Sequence, residues 1–259
     1  MSSAFDWPAF VRDFSASARS CGFRDTVLME TEDGPLVAWE KGGEGPTVYL
    51  SAGIHGDEHA GPLAVLQLMH CGFFRDGYRW LVCPALNPGG LALSSRENRA
   101  GMDLNRDYLL KSSPEIAAHT AWLSRQPAPD VFVSFHEDWE TKGFYFYEIN
   151  LGDDNPARAD SILAAVSTYF APEPGPEIDG HEVRESGWIY HRAEADLPEF
   201  WPEAIFLAKS GCRLSFTFET PSGAPMGKRI AAHIAGFSAL LGHFYKNAEQ
   251  RACVSEFKG

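Results

Sequence analysis

His55 and Glu58 stand three residues apart in the stretch SAGIHGDEHAG (51–61), where Gly56 would let the loop curl so that both side chains reach one ion. His136, in SFHED (134–138), can supply a third donor. Two imidazoles and one carboxylate leave a tetrahedral zinc ion one open position for water, which is a catalytic arrangement. Glu219 closes the apolar stretch RLSFTFET (213–220), where a carboxylate is costly unless it is paired or used. Between these lies RENRAGMDLNRDY (96–108), in which the Arg96 and Arg106 forks and Asn105 can grip a carboxylate. Asp103 is the residue type that orients a metal-bound histidine from behind. Each feature also has a plainer explanation. His-x-x-Glu is a common spacing, an arginine cluster can be a surface ion-pair set, and Glu219 could cap the helix that follows.

Such side chains need rigid strands behind them. TVYLSA (47–52) is an apolar run too short for a helix, followed by a glycine-rich turn and a helical pattern over 62–70, which reads as a βα unit. RWLVCPAL (79–86), DVFVSFHED (130–138), FYFYEI (144–149) and RLSFTFET read as further strands. Helices are expected over 7–18, 114–124, 157–170 and 226–249. TVLMET and PLVAWEKG, separated by EDGP, suggest an edge hairpin. From Asn87 to Tyr108 there is little periodicity, and so long an irregular segment in a compact protein is usually functional. The proline- and glycine-rich stretch 171–188 is too short to act as a dividing linker.

Strands alternating with helices imply a single α/β domain over 1–259. Its expected core is a doubly wound, mostly parallel mixed sheet with helices on both faces. His55, Glu58, His136 and Glu219 then share one address, the carboxyl ends of strands, where such sheets bind ligands.

The balance of 35 acidic against 22 basic residues, a net charge of -13, argues against nucleic acid or an anionic membrane as partner. Five cysteines without a CxxC pair indicate neither a disulfide framework nor a thiolate metal site. No signal peptide or membrane span is readable, so a cytoplasmic location is expected.

HGDE, NPGGLALSSRENRAGMDLNRDY, SFHED and FTFETPS, in that order, resemble the zinc metallocarboxypeptidase family of the carboxypeptidase A and B type over about 55–220. The DLNR element with an arginine nine residues before its Asn is the more specific part. The resemblance implies one zinc ion held by His55, Glu58 and His136, with Asp103 behind the first histidine. It further implies that Arg96 polarises the scissile carbonyl, that Asn105 and Arg106 grip the substrate's terminal carboxylate, and that Glu219 is the catalytic glutamate. The implied activity is removal of the C-terminal residue of a peptide or small amide that carries a free carboxylate.

Two further assignments cross an insertion. Tyr190 in GWIYHR resembles the family's mobile tyrosine, although its distance from Glu219 is longer than in the pancreatic type. Aligning Trp201 would put Glu199 near the floor of the side-chain pocket and favour Lys or Arg. SFHEDWETKGFYFYE is similar to compact bacterial proteins grouped with the rapid-encystment carboxypeptidase. Three other readings stay open: a murein-peptide amidase acting at γ-D-glutamyl-diaminopimelate bonds, a deacylase of the aspartoacylase and succinylglutamate desuccinylase type, and a binding module without chemistry.

Overall fold

The structure, a computed structural model, describes residues 5–244. Helix α1 (Trp7–Ser20) starts where the Asp6 side chain accepts from Ala9 N and Pro8 pre-sets the first turn. It buries Trp7, Phe10, Phe14 and Ala18, spaced three or four apart. Then follow β1 (Arg24–Met29), β2 (Leu36–Lys41), β3 (Thr47–Ala52), α2 (Ala60–His70), β4 (Arg79–Cys83), α3 (Pro88–Leu93) and a 3-10 turn at Leu104–Arg106. The chain continues through α4 (Pro114–Leu123), β5 (Val131–Asp138), β6 (Tyr145–Asn150), α5 (Pro156–Val166), β7 (Glu177–Ile178), β8 (His181–Glu182), β9 (Trp188–His191), α6 (Glu203–Lys209), β10 (Leu214–Pro221) and α7 (Met226–Leu241).

Eight strands form one mixed sheet in the order β1-β2-β4-β3-β5-β10-β6-β9. The centre, β4-β3-β5-β10, is parallel. The flanks introduce antiparallel pairs, β1 with β2, β2 with β4, and β10 with β6. Alternation along the strands sends Val48, Leu50, Val133 and Phe135 toward one face, where they meet α1, α2, α5 and α7. Tyr49, Leu81 and Phe132 point the other way, toward Ile116 and Trp122 of α4 and Leu207 of α6. The expected doubly wound sheet with helices on both faces is therefore present.

The expected elements appear with shifted ends. The run 79–86 stops being a strand at Cys83, and α5 ends at Val166 rather than Phe170. Beyond Leu241, the expected extension of α7 to 249 lies partly outside the described residues, as does Cys253. The aperiodic stretch after Asn87 contains α3, six residues long and too short to show a period, capped by the Asn87 side chain on Gly90 N. Among the described residues the cysteines Cys21, Cys83 and Cys212 are free, and no helix is long and apolar enough to cross a membrane.

Candidate active site

β3 ends in a loop whose backbone is fixed by close packing. Gly53 sits at φ +64°, a left-handed conformation that favours glycine. Gly56 keeps a negative φ, so its role is not the curl expected from sequence. A Cβ there would come within 1.9 Å of the Gly90 carbonyl carbon. Only glycine lets the His55–Glu58 loop lie against α3, where Gly56 N donates to Ser95 O at 2.9 Å. Asn87, fully buried, ties the two loops by donating to Ile54 O and Arg96 O.

This brings His55, Glu58 and His136 together. One donor atom from each lies within 4.8 Å of the others, and all three residues are buried. His55 Nδ1 is 2.6 Å from Glu58 Oε1, and His136 Nδ1 is 3.0 Å from Glu58 Oε2. His55 Nε2 faces Asp103 Oδ1 at 3.3 Å. Burial pulls the His55 imidazole down, but Glu58 and Asp103 outweigh it and hold the ring at about 9. Burial likewise pushes the Glu58 carboxyl up, and His55 and His136 outweigh that, holding it well below the usual carboxylate range. Glu58 Oε2 is buried without a hydrogen bond of good geometry. A buried carboxylate between two inward-facing imidazole nitrogens, one backed by Asp103, fits a metal ion.

Asp103 is itself held. Its Oδ2 accepts from Arg96 Nε at 3.2 Å and Nη2 at 3.0 Å, and its Oδ1 caps the 3-10 turn by accepting from Asn105 N. Arg96 is left with Nη1 toward the candidate metal ligands, 3.3 Å from His55 Nδ1. Asn105 Oδ1 accepts from Glu203 N at 3.0 Å. A backbone N–H can only donate, so the oxygen assignment is fixed and Asn105 Nδ2 is left for the cavity. Arg106 Nη1 donates to Asn105 O, which sets its guanidinium beside that amide. On the sheet, Glu219 is in register with His136, so both side chains leave the same face. Burial pushes the Glu219 carboxyl well above its usual range, and Glu58, Asp138 and Asp179 add to this against the pull of His136.

His55, Glu58, Arg96, Asn105, Arg106, His136 and Glu219 all line one cavity of about 370 Å³. Asp103 stands behind His55. Two sequence assignments are not brought in. Tyr190 follows Ile189 and precedes His191 in β9, so it points away from the face that carries His191 to the cavity. Its ring lies against Arg184 and Trp188. Glu199 is exposed, and its loop contributes Asp196, Leu197 and Phe200 to the wall instead. The loop turns the opposite residues inward from those that alignment on Trp201 selected.

Sequence reasoning missed the polar layer under the cavity. Glu203 is 1% exposed and accepts from Tyr49 Oη at 2.7 Å and Ser51 Oγ at 2.7 Å. Tyr49 Oη then accepts from His119 Nε2 at 2.8 Å, and His119 Nδ1 accepts from Tyr108 Oη at 3.0 Å. Burial keeps His119 neutral, with its pKa pushed down to about 3. Burial raises Glu203 to about 7, although Ser51 and Tyr49 donate to it. Tyr and Ser inside the apolar strand TVYLS were the available signal.

The fold is carboxypeptidase A-like, and the residues at the carboxyl ends of its strands form a candidate metal centre. Residues 44–168 match the family model described as the succinylglutamate desuccinylase/aspartoacylase catalytic domain, a span that includes His55, Glu58, Arg96, Asn105, Arg106 and His136 and stops before Glu219. A crystal structure of a candidate metallopeptidase from Shewanella amazonensis is 25% identical, with TM-score 0.81 over 94% of this chain and 95% of that one. A metallo-carboxypeptidase from Burkholderia cenocepacia shares the fold at 17% identity and TM-score 0.66, over 90% of this chain and 68% of that one. Bovine thrombin-activatable fibrinolysis inhibitor, solved with tick carboxypeptidase inhibitor, shares it at 14% identity and TM-score 0.68, over 92% and 96%. No curated protein sequence matches the chain.

Proposed function

We propose that this protein is a zinc-dependent hydrolase of the carboxypeptidase type, cleaving the amide bond next to a residue that carries a free carboxylate. One observation supports this above the others. Asn105 Nδ2 and the Arg106 guanidinium, a carboxylate-gripping pair, open into the same cavity as His55, Glu58, His136 and Glu219.

A zinc ion held by His55, Glu58 and His136 would lower the pKa of its water toward neutrality and polarise the scissile carbonyl. Glu219 takes the proton from the attacking oxygen and returns it to the leaving amine nitrogen. Arg96, braced by Asp103 through two nitrogens, presents Nη1 to the carbonyl oxygen as negative charge develops there. Asn105 and Arg106 fix the terminal carboxylate and so the register of the bond, which makes the enzyme an exopeptidase. The preference for C-terminal Lys or Arg rested on Glu199 and loses its basis. The wall made by β6, β10 and α6 includes Tyr145, Tyr147, Ile149, Ala204, Ile205, Ser215 and Thr217.

The family match favours a second reading, deacylation of an N-acyl amino acid, which uses the same grip on a carboxylate beside the cleaved amide. The test is hydrolysis of N-acylated dipeptides with Lys, Phe, Leu or Glu at the C-terminus, an N-acetyl amino acid series, a γ-D-glutamyl-diaminopimelate peptide and C-terminally amidated controls. Release of C-terminal residues from free acids but not from amides is expected. Activity confined to acetylated amino acids selects the deacylase. Equal cleavage of acids and amides sinks the carboxylate grip, and silence from zinc-loaded protein on every substrate sinks the hydrolase reading.

A further inference from the structure

A second group of side chains able to ligate a metal stands at the rim of the cavity, at three residues to which sequence reasoning gave no role. His181 in β8, His191 in β9 and Asp196 in the loop that follows each bring a donor atom within 4.8 Å of the other two. Both imidazoles aim Nε2 at one carboxylate. His181 Nε2 is 3.5 Å from Asp196 Oδ2, and His191 Nε2 is 3.4 Å from Asp196 Oδ1.

The proton positions make this arrangement informative. His191 Nδ1 lies 2.5 Å from the Arg192 carbonyl oxygen. A carbonyl oxygen only accepts, so Nδ1 carries the proton and the neutral ring has a bare lone pair on Nε2. That lone pair faces a carboxylate, which also only accepts. Either Nε2 carries a second proton and donates to Asp196, or the bare lone pair and the carboxylate share a cation. An imidazole whose remote nitrogen donates to a backbone carbonyl is also the arrangement that orients metal-bound histidines.

Packing holds the rings ready. The two imidazoles meet edge to face at 4.9 Å, and the Tyr147 ring rests against His181 at 5.4 Å and His191 at 5.9 Å. Tyr147 is fixed in turn by its hydroxyl on Asp179 Oδ2. The histidine side chains are 23% and 14% exposed and that of Asp196 is 67% exposed, so the carboxylate is the part free to settle on an ion.

We propose that His181, His191 and Asp196 form a second divalent-metal site, separate from the hydrolytic centre and independent of the reading given to that centre. Two imidazoles and a carboxylate select zinc or a neighbouring transition metal over magnesium or calcium. Three protein donors leave a position for water or for an anionic group in the cavity. The ion would clasp β8, β9 and the loop carrying Leu197 and Phe200, the segments that form the outer cavity wall.

The test is zinc stoichiometry by elemental analysis on full-length protein stripped with chelator, re-equilibrated with zinc and desalted. About two ions per chain are expected for the unchanged protein, and about one for His181→Gln/His191→Gln. About one is expected again for Glu58→Gln/His136→Gln, this one resisting loss when the hydrolytic ligands are gone. If the unchanged protein and His181→Gln/His191→Gln bind the same number of ions, the proposal is overturned while the hydrolytic centre stands. If Glu58→Gln/His136→Gln loses no ion, the hydrolytic reading fails and the second site survives. Asp196→Asn changes an exposed side chain and spares the fold. By calorimetry it is expected to weaken zinc binding at this site about tenfold or more, and an unaltered isotherm would count against the proposal.

Discussion

Glutamine at position 203 would change how the protein's stability depends on pH, and the direction and size follow from the buried network. Glu203 is held at about 7 in the fold against an ordinary value of 4.5, because burial outweighs the donors from Ser51 and Tyr49. A carboxyl whose folded value is raised favours folding when protonated. Its contribution is complete below about 4.5 and is lost as pH rises through about 7. At about 1.4 kcal/mol per tenfold change in proton affinity, the ionised group costs the fold about 3 kcal/mol at full titration. Glutamine has nearly the shape of the protonated acid, with an NH2 donor in place of its O–H, and cannot ionise. Urea titrations of the zinc-free protein and of Glu203→Gln, at intervals from about pH 5 to about pH 8, are expected to diverge by about 2.5 kcal/mol, the variant gaining relative stability toward the alkaline end. His119, pushed down to about 3, does not titrate in that window. Parallel stability curves would refute the reasoning, since they would mean that Glu203 is solvated or ionised throughout.

Glu219→Gln is expected to lower kcat by about 100-fold to 10,000-fold with zinc content unchanged, checked by steady-state kinetics beside elemental analysis; a small effect would remove Glu219 from proton transfer. Arg106→Ala is expected to reduce kcat/KM by about 10-fold to 100-fold on substrates with a free carboxylate and to leave amidated ones unaffected. In the zinc-free protein the His55 proton is held with a pKa of about 9, and zinc must displace it. Apparent zinc affinity is therefore expected to climb about tenfold per pH unit up to about pH 9. A pH-independent affinity measured with a competing chelator would contradict the Glu58–His55 pairing.

The central strands were legible because TVYLSA, DVFVSFHED and RLSFTFET are short apolar runs ending in polar ligand types, and a parallel strand buried on both faces reads that way. The same runs placed His55, Glu58, His136 and Glu219 on one edge, and DLNR placed Asn105 and Arg106, because these residues sit at or just beyond strand ends where spacing along the chain translates into position. Tyr190 and Glu199 failed for the opposite reason. They lie in 184–201, where a short strand and an irregular loop decide which side chains turn inward, and one residue of register separates Tyr190 from His191. Glu203 was hidden because a carboxylate in PEAIF looks like an ordinary first-turn residue of a helix. Its partners Tyr49 and Ser51 are remote in sequence.

β5 and β6 follow each other along the chain yet never pair; β10, more than sixty residues later, occupies the slot between them. Two successive strands with a tight connection would ordinarily zip into a hairpin, so a vacancy one strand wide has to persist until the last one arrives. Glu219 travels on that strand. Folding of this molecule is therefore expected to end with an insertion that also delivers Glu219, and a chain caught partway, with His55, Glu58 and His136 already assembled, would lack it. Such late closure of a distant pairing is slow. In a pulsed hydrogen-exchange experiment the amides of β10 and β6 are expected to gain protection after those of β3 and β4, and simultaneous protection would argue against this order. On the function proposed above, a chain that follows this order gains its proton-transfer group only when the sheet closes, which ties activity to completed folding.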